Sequence, residues 1–261
     1  MKQNCANQTD FSDTSVRFEA ARRAVLSESV CGTGIGTLSE KSLHKILKLY
    51  IDPDASHHEV KHAGSVVDIL NSDGIYEIQT RSYDKLAPKL LRLLETDKVT
   101  VVCPLAAEKR IRWINKDSGE ISEGRMSPKR EGVYDAFKML FGIRAAVPHP
   151  NLTVRLLYMK VEDYKYLNGW SRDGKRGASR MERIPTAIIA EEELCTPADY
   201  ASRVPDELPE TFTAAEFAKA IKRTSRYSYY VLKFLVACGA LAEVGTRGRA
   251  VLYSIAPDTR N

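Results

Sequence analysis

The chain has 261 residues, 43% hydrophobic and 28% charged, which suits one full domain with a smaller one beside it. No apolar run reaches the roughly 18 residues that a membrane span requires, and the first thirty residues lack the pattern of a secretory leader. Five scattered cysteines (Cys5, Cys31, Cys103, Cys195, Cys238) form no C-x-x-C pair, which argues against a disulfide framework or a cysteine zinc site. A reducing, cytoplasmic compartment is expected.

The net charge is +5, and its location is informative. Between Thr211 and Ile255 stand Lys219, Lys222, Arg223, Arg226, Lys233, Arg247 and Arg249, against only Glu216 and Glu243. This segment alone carries a surplus equal to that of the whole chain. It predicts a polyanionic partner for the tail, with a plain solvated basic surface as the alternative.

In chain order, the opening to about Asp13 is polar and irregular, and Ser15 to Leu26 is expected to be helical, with Phe18, Ala21 and Val25 on one stripe. Cys31 to Gly36 reads as a glycine-rich lead into a helix, since no Lys-Ser/Thr follows to make it a phosphate loop. Thr37 and Glu40 form a capping box, and Leu43, Ile46, Leu47 and Tyr50 mark a buried helical stripe that Asp52-Pro53-Asp54 stops. Three strands are expected at His58 to His62, Ser65 to Leu70 and Ile75 to Arg81, with residues 71–74 as the last turn.

A helix over Ser82 to Glu95 directs Leu86, Leu90, Leu93 and Leu94 inward and Lys85, Lys89 and Arg92 outward. Lys98 to Leu105 reads as a fully buried strand, because its apolar run shows no alternation. A hairpin at Arg110 to Asn115 with a Gly119 turn, a helix at Val133 to Ile143 and a strand at Leu152 to Val161 complete a mixed α/β sheet covered on both faces. Beyond Val204 to Pro209 come two helices (Ala214 to Lys222, Arg226 to Cys238) and a hairpin (Leu241 to Val244, Ala250 to Ile255). The chain thus divides into an extension over residues 1–30, a core over 31–203 and a C-terminal module over 204–261. The module resembles a winged-helix domain.

Alternation along a strand puts Val66, Asp68 and Leu70 on one face, and Ile75, Glu77 and Gln79 on one face of the next strand. With Leu70 opposite Ile75, Asp68 lies across from Glu77. Facing carboxylates repel, and among apolar neighbours each must be protonated, paired or bridged by a cation. A hard divalent ion meets that need; two acids on a solvated face are the competing reading. Glu40 shares the helix face of Leu43 and Leu47, so it suits either the capping box or a place beside these acids.

Residues 36–105 resemble the PD-(D/E)XK, or restriction-endonuclease-like, superfamily: an acid on a first helix (Glu40), an acid on a strand (Asp68), Glu77-Ile78-Gln79 on the next, then a helix and a strand. The resemblance implies that Asp68 and Glu77 hold Mg²⁺ or Mn²⁺, with the Ile78 carbonyl as a further ligand and Glu40 in support. It implies hydrolysis of DNA phosphodiesters, double-stranded DNA as the partner, and a homodimer. Gln79 stands where the superfamily has lysine; it orients water but supplies no positive charge. That departure favours the alternative of a non-catalytic DNA-binding regulator, and a protein-interaction adaptor is a third option.

His57, His58 and His62 sit near Glu59, but His58 and His62 are about 13 Å apart on an extended chain, too far for one metal. His44, one turn after Glu40, could face the cleft, though a surface or core role is the plainer reading. The segment Ser171 to Arg183, with Arg172, Lys175 and Arg176, reads as a loop that either tracks phosphates or is a solvated insertion. Trp113 and Trp170 are read as packing residues. In the tail, Arg226, Tyr229, Tyr230 and Lys233 share one face of the second helix, as a groove-reading helix requires, with Arg247 and Arg249 at the wing tip.

Overall fold

Two helices cover one face of the main sheet. The structure, a computed structural model, describes residues 11–31, 41–166 and 179–259. Helix α1 (Phe11–Cys31) buries Phe18, Ala21 and Val25, the stripe expected of it, against Ile46 and Tyr50 of α2 (Lys41–Ile51). The apolar residues of α2 serve two neighbours: Ile46 and Tyr50 meet α1, while Leu43 and Leu47 pack on the sheet with Ile69, Tyr76 and Ile78. A further edge of α2 carries His44 and Lys48, one helical turn apart. Residues 32–36, the Thr37 cap and Glu40 lie outside the described residues.

Strands β1 (His58–His62), β2 (Ser65–Asn71) and β3 (Gly74–Ile78) form an antiparallel meander. The turn at residues 71–74 is the expected one, and only glycine fits its end. Gly74 has φ +125°, and a Cβ there would stand 2.6 Å from the Lys98 carbonyl oxygen. Helix α3 (Tyr83–Leu94) then leads to β4 (Val99–Ile114), which runs parallel to β3. A short β5 (Arg125–Met126) pairs with the outer part of β4, and α4 (Val133–Leu140) leads to β6 (Leu152–Tyr166), again parallel. β7 (Ser179–Leu194) closes the edge antiparallel to β6, giving the order β1-β2-β3-β4-β6-β7.

Two expectations change. The strand expected to end at Leu105 continues to Ile114, so the predicted hairpin is the far half of β4, with Ile121 bridging back to Ile114. Residues 179–183, read as loop, open strand β7. Their charges find partners on β6: Asp163 pairs in register with Arg183 and receives its guanidinium. Pro185 is tolerated because β7 is an edge strand.

The C-terminal elements are α5 (Pro197–Ala201), β8 (Phe212–Thr213), α6 (Ala214–Ala220), α7 (Ser225–Ala237), β9 (Leu241–Arg247) and β10 (Ala250–Ile255). Thr213 and Thr224 cap α6 and α7, and the three strands pair in the order β8-β10-β9. This module shares one hydrophobic cluster with the α3/α4 side of the main sheet. No described helix is long and apolar enough to cross a membrane.

Candidate functional site

Leu70 pairs with Ile75 and Ile69 with Tyr76, as the turn predicts, and the β2–β3 ladder ends there. The next pair would be Asp68 and Glu77. Alternation breaks at this point: Val67 packs in the core beneath α3, yet Ile69, two residues on, packs beneath α2. The strands part, and acidic side chains occupy the opening. Oδ2 of Asp68 accepts the Ile78 backbone N–H at 2.7 Å, taking the place of a ladder carbonyl. The same oxygen lies 3.1 Å from Nε2 of His44, which is also 3.2 Å from the Ile78 carbonyl oxygen. One ring N–H therefore faces two acceptors.

Glu77 follows the other face, with Ile75 and α3. It is 4% exposed, and its Oε1 lies 2.5 Å from Nζ of Lys89, without the alignment of a hydrogen bond. Nζ of Lys89 donates instead to the Val66 carbonyl at 2.6 Å. Of the three outcomes expected for these acids, pairing is the one the structure shows. Each has its own protein cation, His44 for Asp68 and Lys89 for Glu77. Helical spacing puts Lys89 on the outer face of α3, but at the β2 edge it turns to the acid instead.

The two carboxyls differ in proton affinity. Burial is the largest influence on Asp68 and acts upward, but the His44 hydrogen bond and charge, the Ile78 N–H and Lys89 outweigh it and hold the group below its ordinary range. Burial also dominates at Glu77; the charge of Asp68 adds to it, Lys89 opposes it only in part, and the carboxyl is pushed up to about 7. His44 is raised: burial acts downward, and the hydrogen bond and charge of Asp68 overcome it.

Asp68, Glu77 and the Ile78 carbonyl present only oxygen donors, the set a hard divalent cation prefers. Nε2 of His44 marks the point between Asp68 and Ile78 where positive charge is already accommodated. Among the described residues, no three His, Cys, Asp or Glu side chains gather into a metal-binding group. Asp68 and the Ile78 carbonyl fit such an ion at the point that His44 Nε2 takes, while Glu77 stands on the α3 side beside Lys89. Gln79 does not join them: its amide nitrogen donates to the carbonyls of Arg81 and Ser82 and so braces the turn into α3. An open cleft of about 620 Å³ adjoins this point, lined by His44, Lys45, Lys48, Ile78, Gln79 and Arg81 among others. Among the remaining histidines, His57 and His62 engage Asp52 and Asp97, and His58 meets the Asp52 carbonyl.

A family model described as a domain of unknown function, DUF8091, matches residues 41–195. The chain belongs to the DUF8091 family. The match runs from α2 through β7, so the DUF8091 domain contains Asp68, Ile78, Glu77, Lys89 and His44. No curated protein and no solved structure matches the chain.

The basic module lies outside the DUF8091 match. On α7, Arg226 and Tyr229 are exposed, as expected. Tyr230 is a correction: it packs edge-on against Phe141, with ring centroids 5.2 Å apart, and so faces the main domain. Lys233 bonds Glu243 at 2.6 Å and Arg247 bonds Glu216 at 2.9 Å, while Arg249 is exposed at the hairpin tip. Arg172, Lys175, Arg176 and Trp170 lie outside the described residues.

Proposed function

We propose that the DUF8091 domain is a metal-dependent phosphodiesterase of the restriction-endonuclease-like class, and that the C-terminal module is a winged helix that grips double-stranded DNA. One observation carries this reading: Asp68 Oδ2 and the Ile78 carbonyl converge on a single point where β2 and β3 part. The surrounding unit supports it, being a helix, a three-strand meander, a helix and a strand parallel to the third.

Asp68 and the Ile78 carbonyl, joined by Glu77 if it turns from Lys89, would hold Mg²⁺ or Mn²⁺, which would supply Lewis acidity toward a phosphodiester oxygen and a water. The chain's own groups do the rest. Lys89 brings from α3 the positive charge that Gln79 lacks and places it beside Glu77, where it can offset charge developing on a phosphate. His44 Nε2 takes the place between Asp68 and Ile78 that such an ion would need, so its imidazole would have to move aside within the cleft it lines. Lys45, Lys48 and Arg81 make that cleft attractive to a phosphate backbone.

The test is cleavage of labelled duplex DNA with Mg²⁺ or with EDTA, by the wild type and by Asp68→Ala, Glu77→Ala and Lys89→Met. Metal-dependent cleavage lost in all three variants is expected; metal-independent or variant-insensitive cleavage refutes the mechanism. A second reading has its own observation, the neutralisation of both acids by His44 and Lys89. On that reading the domain binds DNA without cutting it, and Asp68→Ala leaves DNA affinity unchanged.

A further inference from the structure

Thr80 and Arg81, at the exit of β3, line two cavities: the cleft beside Asp68 and Ile78, and a smaller pocket of about 210 Å³. The smaller pocket is walled by Leu43, Thr80, Arg81, Arg180, Met181, Glu182 and Arg183. One wall residue, Arg183, belongs to a buried ion pair with Asp163. Asp163 is 1% exposed, and its two oxygens receive Nε and Nη2 of Arg183 at 2.6 and 3.0 Å. Arg180 stands further off, 3.8 Å from the same carboxylate, which Arg183 already satisfies. Positive charge is therefore in surplus here. Burial and the charge of Arg183 hold the Arg180 guanidinium below its ordinary range, and burial does the same to Lys109 nearby. Cations gathered around one small pocket repel one another, and an anion there relieves the repulsion.

We propose that this pocket binds a backbone phosphate of the DNA strand next to the one held at Asp68 and Ile78, with Arg81 and Arg180 as its charged contacts. The proposal rests on the phosphodiesterase reading for the identity of the strand. Arg183 positions the pocket through Asp163, and the Thr80 hydroxyl is available as a neutral donor. Glu182 is the opposing group. It is 5% exposed with one oxygen lacking a hydrogen-bond partner, and burial raises its proton affinity against a pull from Ser42. A carboxyl held neutral there donates to a phosphate oxygen; an ionised one repels it.

The experiment measures anisotropy of a fluorescent duplex bound to the full-length protein in EDTA, across a salt series. Arg81→Gln with Arg180→Gln is expected to weaken binding about tenfold and to flatten the salt dependence by roughly one phosphate contact. Glu182→Gln is expected to bind at least as tightly as the wild type. Both altered arginines are exposed, and a thermal melt checks that the variant remains folded. Unchanged affinity and salt slope in the double variant overturn the pocket even if Asp68→Ala abolishes cleavage. Intact, arginine-dependent binding with no cleavage by the wild type in Mg²⁺ or Mn²⁺ keeps the pocket and refutes the phosphodiesterase reading.

Discussion

Phe137 of α4 stacks on Phe234 of α7 with ring centroids 5.2 Å apart, and Tyr200 meets Phe234 edge-on at 5.7 Å. Both phenylalanines are fully buried, and the cluster they belong to runs from the main sheet into the C-terminal module. The module is thus bolted to the DUF8091 domain by core packing rather than tethered by a linker. Phe234→Ala should cost about 3–5 kcal/mol, the usual loss for truncating a buried phenylalanine. Unfolding should stay a single transition at a lower denaturant midpoint, read by circular dichroism and intrinsic fluorescence together. Two separate transitions, with the larger one unmoved, would show that the module folds on its own.

Glu77 supplies a pH test. Its folded-state carboxyl titrates at about 7, above its ordinary 4.5. The fold therefore favours the protonated form, and this contribution to stability is complete below pH 4.5 and is lost as pH rises through about 7. Glu77→Gln mimics the neutral acid. Without metal, the variant should match the wild type near pH 5 and exceed it near pH 8.5, in urea denaturation. Adding Mn²⁺ at pH 8.5 should stabilise only the wild type. Equal pH dependence in the two proteins would mean that Glu77 ionises normally.

The register of this site was legible before its chemistry was. Asn71-Ser72-Asp73-Gly74 sets Leu70 against Ile75, and from that pairing the proximity of Asp68 and Glu77 follows. What no local pattern encodes is the break in alternation at Asp68, because it depends on which core each neighbour joins. Lys89 was hidden for a related reason: helical spacing puts it outside the leucine stripe, and only the β2 edge reveals its contact. His44 carried a signal, standing one turn before Lys48 on the edge of α2, but a lone histidine fits many roles. β7 was missed because charged residues and Pro185 mask its alternation, and Arg183 gains a partner only from Asp163 across the sheet. In the tail, the two helices and the hairpin were readable from local sequence, whereas the docking of Tyr230 on Phe141 is tertiary.

On the proposed reading, His44 and a divalent ion would compete for one place, and pH would decide between them. The folded-state pKa of His44 is raised above its ordinary 6.5, so its pairing with Asp68 contributes fully below that value and fades as pH rises through the folded one. In EDTA at pH 6, His44→Ala should be less stable than the wild type, and the gap should narrow by pH 9. Mn²⁺ binding, followed by electron paramagnetic resonance, should show the opposite order at pH 6, with the variant several-fold tighter because no imidazolium need be displaced. By pH 8.5 the two should converge. Weaker Mn²⁺ binding by the variant at both pH values would make His44 a ligand instead of a competitor.

Asp163 tests whether the buried ion pair under the arginine pocket is structural. Burial is the largest influence on its carboxyl and acts upward, but the hydrogen bonds and charge of Arg183 prevail and hold it low. A carboxyl depressed in this way adds stability above its unfolded pKa and loses it only as pH falls through the folded value, in the acid range. Asp163→Asn keeps the shape and removes the charge, leaving the largely buried Arg183 guanidinium without its counter-ion. Breaking one side of a buried pair costs about 3–5 kcal/mol, whereas replacing both partners with apolar residues is often near neutral. Asp163→Asn should therefore shift the urea midpoint sharply downward, and Asp163→Leu with Arg183→Leu should recover most of the loss. A cost below about 1 kcal/mol for Asp163→Asn would mean that Glu131, whose charge also reaches Arg183, suffices as its partner.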